Sequence, residues 1–170
     1  FEKLTIKMIT DAAGVIRPTF YNYFQDKYEV MEWLLWEDVF KEVSELMEQE
    51  RGMESLKLLF RKFEEDKTYY EKVFEVTGQN SFEEMLYGQI FNMEEILVKH
   101  HPLKHLSNMP HVDEKVFLEF HAISLVNGLK YWLIRESKNI SAGDAMEFYQ
   151  YMMSHSILDL LDIEKTEKKK

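Results

Sequence analysis

Residues 5–27 read TIKMITDAAGVIRPTFYNYFQDK. Ile6, Ile9 and Ala13 fall at i, i+3 and i+7, one stripe of a helix. Thr5 stands just before the stripe, where its hydroxyl can accept from an orphan amide of the first turn. Gly14 stands just after it, where a left-handed residue ends a helix. Pro18 suits the first turn of the next helix, since the amide it lacks has no partner there. Phe20 and Phe24 share one face of that helix as core, while Arg17, Thr19 and Asn22 point elsewhere. Two short amphipathic helices around a glycine-containing turn make a helix-turn-helix, although the spacing alone also describes a plain helical hairpin.

Working outward, the chain continues as helices. Asp26, with Glu29 as its reciprocal capping partner, opens a helix striped by Trp33, Trp36, Phe40, Val43 and Met47 that runs to about Glu50 and is ended by Gly52. Met53, Leu56, Leu59, Phe60 and Phe63 mark a helix to Asp66. Thr68 with Glu71 predicts a capping box for a short helix that Gly78 breaks. Ser81 with Glu84 opens the next, striped by Phe82, Met85, Leu86, Ile90, Met93, Ile96 and Leu97 and ended by Pro102. Asp113 starts a helix to about Lys138, and Ser141 with Asp144 caps a last one to about Asp162. No segment alternates with period two, so the expected class is all-α.

Composition narrows the function classes. The 170 residues contain no cysteine, which excludes disulfides and thiolate metal sites and fits a reducing, cytoplasmic setting. No apolar run approaches the roughly 18 residues of a membrane span, so no membrane partner is expected. The net charge is −10. Residues 1–27 carry Lys3, Lys7, Arg17 and Lys27 against Glu2, Asp11 and Asp26, so a slightly basic tip sits on an acidic body. That distribution suits nucleic-acid contact at the tip alone. No glycine-rich phosphate loop, nucleophile motif or paired metal ligands on one helix is present, so no enzyme and no cofactor are expected. His100, His101, His105 and His111 cluster around Pro102 and Pro110, and read as a polar loop rather than a metal site.

The stretch resembles the tetracycline-repressor (TetR) family of bacterial transcription regulators. The residues that carry the resemblance are Thr5, Ile6, Ile9, Ala13-Gly14-Val15, Thr19-Phe20-Tyr21, Phe24 and Lys27. Weaker support lies in Leu125 to Met146, where a glycine, a tryptophan, a short loop and a serine-capped helix follow in order. The resemblance implies an all-α homodimer with a DNA-binding domain over 1–32 and an effector-binding and dimerisation domain over 33–170. It also implies a further helix before this motif, with Phe1 just after it. Ile16 departs from the family, which usually has Ser or Thr there as a cap. Met8 and Thr10 replace the usual polar and small residues.

For duplex DNA, helix-turn-helix geometry assigns base edges to Arg17, Pro18 and Thr19 at the start of the second helix. Tyr21 and Lys27 match family positions that hold phosphate; Thr5, Lys7, Asn22 and Tyr23 are further candidates. An apolar effector pocket is expected among Phe60, Phe63, Tyr70, Phe74, Tyr87, Phe91, Phe120 and Tyr131. A dimer interface is expected on the last two helices, through Phe117, Ser124, Gly128, Trp132, Tyr149 and Met153. The resulting expectation is an operator-binding regulator, by resemblance a repressor, controlled by a small effector. The alternative is a helical interaction protein or co-activator with weak or no DNA binding, since relatives with the opening Phe1-x-Lys3-x-Thr5-Ile6 include activators and proteins that work with a partner.

Overall fold

Helical periodicity becomes helices throughout the described residues of the computed structural model, which are 1–101, 103 and 111–161. Pro102, His105, Pro110, Asp162 and the terminal lysine run lie outside them. The elements are α1 (Ile6–Ala13), α2 (Arg17–Tyr21) and α3 (Lys27–Leu35), which continues through a π turn (Trp36–Phe40) into α4 (Lys41–Glu48). There follow α5 (Gly52–Glu65), α6 (Lys67–Val73), α7 (Phe82–His100), α8 (Glu114–Tyr131) with a second π turn (Trp132–Glu136), α9 (Ala142–Ser154) and a 3-10 turn at Ile157–Leu160. The described residues contain no strand, and no described helix is long and apolar enough to cross a membrane.

Caps explain most boundaries. Thr5 accepts from the Met8 amide, Asp26 from Tyr28 and Glu29, Ser81 from Glu84, Asp113 from Val116 and Ser141 from Asp144. Each satisfies an amide the first turn leaves orphaned. Glu29 reciprocates one residue earlier than expected, accepting from the Gln25 amide. The start of α9 gains a second, long-range acceptor, because Glu64 of α5 takes the Ala142 amide at 2.9 Å.

Four boundaries differ from the sequence reading. Helix α2 is five residues long, although the Tyr23 and Phe24 amides still bond back to the Phe20 carbonyl. Helix α4 is ended not by Gly52, which opens α5, but by Glu50 in the left-handed region at φ 60°. There the Arg51 amide reaches the Leu46 carbonyl and the Glu50 amide reaches Met47, the paired closure of a Schellman end. The Thr68–Glu71 capping box does not form, since α6 already starts at Lys67 and Thr68 lies within its first turn. Helix α9 ends at Ser154, where His155 turns extended and Ser156 caps the short 3-10 turn.

Packing places α7 against α8 and α5 against both α4 and α9, while α7 also meets α3 and α4. The core runs along one face of the α3–α4 rod, through Met31, Leu35, Val39, Phe40, Val43 and Met47. At its centre Phe63 stacks on Tyr70 at 4.3 Å, and Phe82 meets Phe74 edge-on at 4.9 Å. Gly128 permits close approach of α8 to α9, since a Cβ there would sit 3.2 Å from the Tyr149 ring. Among the described residues three polar side chains are buried: Thr10, Ser55 and Glu94. Thr10 bonds back to the Lys7 carbonyl and Ser55 reaches across to the Val43 carbonyl. Glu94 bonds His121 through one oxygen, and the other has no partner among the described residues.

Two outcomes follow for stability. Gly14 sits at φ +67° with no heavy atom close to an added Cβ, so Gly14→Ala meets backbone strain alone. It should cost about 1–2 kcal/mol in urea unfolding. Burial holds the Glu94 carboxyl above its ordinary value of 4.5, with the His121 hydrogen bond pulling the other way. Below 4.5 the carboxyl is protonated in both folded and unfolded chains. Above it the unfolded chain ionises first, so stability declines as pH rises toward the folded value. Relative to Glu94→Gln, the native chain should therefore lose stability over that window and level off beyond it, read from urea midpoints at stepped pH.

Candidate functional site

The tip is built by α1, the Gly14 turn and α2. The Val15 amide reaches the Thr10 carbonyl and the Gly14 amide reaches Asp11, closing α1 and setting the direction of α2. Phe20 is buried beneath α2, edge-on to Tyr21 and packed on Phe24, which in turn meets Trp33 of α3. This aromatic row fixes α2 on the third helix. Ile16 is the N-cap of α2 and supplies no side-chain bond; its carbonyl takes the Thr19 and Phe20 amides, and Pro18 has none to satisfy.

The residues assigned to DNA fall into three groups. Arg17 and Pro18 are exposed at the first turn of α2, with Thr19 half-buried beside them. Tyr21, Asn22 and Tyr23 follow as exposed side chains, and the Arg17 guanidinium lies 3.5 Å from the Tyr21 hydroxyl. Thr5 and Lys7 begin α1; Thr5 is occupied as a cap, and Lys7 pairs with Asp11 at 2.6 Å on an exposed face. Exposed pairs of this kind are worth at most about 1 kcal/mol, so a phosphate can exchange for the carboxylate.

Lys27 stands apart. Its ammonium donates to the carbonyls of Phe1, Glu2 and Leu4 at 3.1, 3.2 and 3.1 Å and lies 4.8 Å from the Phe1 ring centre. All three N–H groups are thereby used within the chain. The geometry makes Lys27 a clamp that ties the opening segment to α3 rather than a free hand for phosphate.

The pocket expectation needs correcting. Phe63, Tyr70 and Phe74 are packed into the aromatic centre of the core. Burial first, and then the Asp38 and Asp66 charges, push the Tyr69 hydroxyl up to about 12 and Tyr70 higher still. Phe120 is 70% exposed on α8 and faces outward, and Tyr131 on the same helix is 63% exposed. Phe91 packs on the edge of the core with Tyr87, which also borders a shallow cleft with Ile123 and Asn127. Phe60 and Tyr131 do share a partly open apolar space, about 240 Å³ between α5, α8 and α9, with Trp132 and Tyr149.

Two interface residues are also corrected. Trp132 is 4% exposed, packs at a tilt on Phe60 at 5.5 Å and donates its indole N–H to the Ile140 carbonyl, so it has no surface to offer a partner. Gly128 is spent on the α9 contact within the chain. Phe117 and Met153 do lie exposed, as do Val116, Phe120, Ile123, Phe148 and Met152, while Ser124 is half-buried between them.

A different cavity, missed from the sequence, lies where α4, α5, α7, α8 and α9 meet. It holds about 440 Å³ and has Glu94, His121 and Tyr149 in its wall. His121 shares a 2.6 Å hydrogen bond with Glu94 and lies 3.4 Å from the Tyr149 hydroxyl. Burial and the Glu94 charge push the Tyr149 hydroxyl upward, so it stays protonated. One signal was available: Glu94 is four residues after Ile90 and three before Leu97, a charged side chain on an apolar stripe. His100 and His101 sit 3.9 and 3.7 Å from Glu50.

With this architecture established, likeness to known proteins acquires meaning. The profile described as "Bacterial regulatory proteins, tetR family" matches residues 1–33, and a second, "Transcriptional regulator C-terminal region", matches 50–155. A curated relative, the HTH-type dhaKLM operon transcriptional activator DhaS of Lactococcus lactis subsp. lactis (strain IL1403), is 28% identical over 74 residues, 44% of this chain and 40% of that protein. The match thus spans about two fifths of that relative's length. A solved structure of a dihydroxyacetone kinase operon activator DhaS shares the fold at a TM-score of 0.57 and 22% identity, over 91% of this chain and 82% of that one. Tip and body are both accounted for by these matches, and the chain belongs to the TetR family of bacterial transcription regulators.

Proposed function

We propose that this chain is a one-component transcription regulator that binds double-stranded operator DNA as a homodimer and changes its affinity when a small effector enters the helical body. The observation that carries the reading is the tip: Arg17 and Pro18 stand exposed at the first turn of an α2 held in place by the Gly14 turn and the Phe20–Phe24–Trp33 row. Recognition helices of this class present their N-terminal residues to base edges in the major groove. Arg17 reads a guanine through its paired donors, and Thr19 or Pro18 meets a thymine methyl. Tyr21, Thr5 and Lys7 hold phosphate, with Asn22 and Tyr23 as outer contacts.

The division between DNA-binding and regulatory parts falls near residue 32, within the continuous α3–α4 rod, so a change in the body has a rigid path to the tip. Dimerisation uses α8 and α9, where Val116, Phe120, Ile123, Phe148 and Met152 leave an apolar face exposed. A two-fold pairing of these helices buries it and sets two α2 helices about one DNA turn, roughly 34–36 Å, apart. Repression is the family's usual mode, and the relative named above is an activator. The second reading, a co-activator with weak DNA binding, is favoured by one feature, the uncapped start of α2 at Ile16.

Fluorescence anisotropy of the full chain on its own upstream DNA tests the main reading. Saturable, sequence-selective binding is expected; equal affinity for scrambled DNA supports the co-activator reading instead. Arg17→Ala should cost about 1–3 kcal/mol on the cognate site and relax preference at one base, whereas Lys27→Ala should weaken every sequence alike by loosening the tip. Sedimentation at micromolar concentration should give the mass of two chains, and Phe120→Glu should shift it to one. A single-chain mass for the native protein would remove the dimer from the proposal.

A further inference from the structure

The cavity at the junction of α4, α5, α7, α8 and α9 combines apolar walls with one unmet polar demand. Met47, Met53, Leu56, Met93 and Leu97 supply the apolar lining. Glu94 is 4% exposed, yet its Oε2 has no hydrogen-bond partner among the described residues. Its other oxygen is engaged by His121 Nδ1 at 2.6 Å, and His121 Nε2 faces the Tyr149 hydroxyl at 3.4 Å. With His121 donating to Glu94 and Tyr149 donating to His121, every donor of the triad is used. What remains free is an acceptor.

Buried polar atoms are almost always paired, because an orphan keeps its full desolvation cost, so this one calls for an explanation. A space of about 440 Å³ lies within the range of small-molecule pockets, which are mostly apolar with a few placed polar groups. We infer that this cavity is the effector site, and that Glu94 Oε2 selects a small, mostly apolar molecule bearing one hydroxyl or N–H donor. Carboxylates and phosphates are rejected, since they bring negative charge to an acceptor-only corner. The flexible methionine walls adapt to the apolar body of the ligand. Met47 lies in α4, so an occupant touches the end of the same rod whose start holds the tip. This assignment rests on the reading that the helical body binds an effector, and it names the place and the chemistry.

The test uses the full chain carrying 13C-methyl methionine and two probes, indole and 1-methylindole, which share a ring system but differ in the N–H donor. Indole should shift the Met47, Met53 and Met93 methyl signals, and 1-methylindole should bind roughly tenfold more weakly, the cost of leaving the acceptor unpaired. Glu94→Gln keeps shape and the His121 bond but turns an N–H₂ group toward the cavity, so indole should fall to the affinity of 1-methylindole. Equal affinity of the two probes for the native chain, or no methyl shift with either, overturns the assignment without need of any variant. Shifts at Met85, Met146 or Met152 in place of the cavity methionines also sink it, while leaving the effector reading intact. Selective indole binding in the cavity with operator affinity unchanged upholds the site and sinks the effector reading.

Discussion

One unbroken ladder of helical hydrogen bonds, from Lys27 through the π turn at Trp36–Phe40 to Glu48, is the constraint on which the rest of the molecule depends. A rod of that length spans about 33 Å at the helical rise of 1.5 Å per residue. Its first residue clamps three carbonyls of the opening segment, and its last turn places Met47 in the wall of the body's cavity. Between them, Met31, Leu35, Val39, Phe40, Val43 and Met47 keep one face buried along the whole length. The extra residue per turn at the π segment rotates the rod's apolar stripe so that both halves face the same core, which is where such turns find their use.

The two ends of the rod face different physical demands. At the tip, only Thr10 and Phe20 among residues 1–27 are buried, so shape there comes from specific bonds: the Schellman closure at Gly14, the Thr5 and Asp26 caps and the Lys27 clamp. Each is worth on the order of a kilocalorie. In the body, shape comes from close packing of large aromatic rings around Phe63, Tyr70, Phe74 and Phe82. The proposed coupling would run from a close-packed core to a lightly held tip, so a small shift of the rod would be felt mainly where DNA contact is proposed. Allostery of this form requires two sites and one element whose position both of them bias.

Polar links brace the body around the rod. Ser55 ties α5 to the Val43 carbonyl of α4, Lys62 pairs with Glu42 at 3.1 Å, and Lys130 of α8 bonds Glu83 of α7 at 2.5 Å while lying over the Phe74 ring. Glu64 holds the start of α9. Against this satisfied background the single free oxygen of Glu94 stands out: it lies in a cavity wall, between helices that both the core and the rod position.

Much of the fold was legible in the order of the residues, because its signals are local. Caps at Thr5, Asp26, Ser81, Asp113 and Ser141 act on amides two or three residues away, and Gly14 ends α1 through its own φ. Those signals, with helical periodicity, determined the all-α class, most helix starts and the helix-turn-helix frame that marks the family. Boundaries failed where a local sign had a competitor, as when Glu50 rather than Gly52 took the left-handed position. Periodicity reports that a side chain faces inward, but not whether it meets another side chain or empty space. So Phe63, Tyr70 and Phe74 as core, Phe120 and Tyr131 as surface, Trp132 as an interior anchor and Lys27 as a clamp were decided only in three dimensions. The same holds for Glu94, His121 and Tyr149, which are 27 and 28 residues apart along the chain and meet only because α7, α8 and α9 pack together.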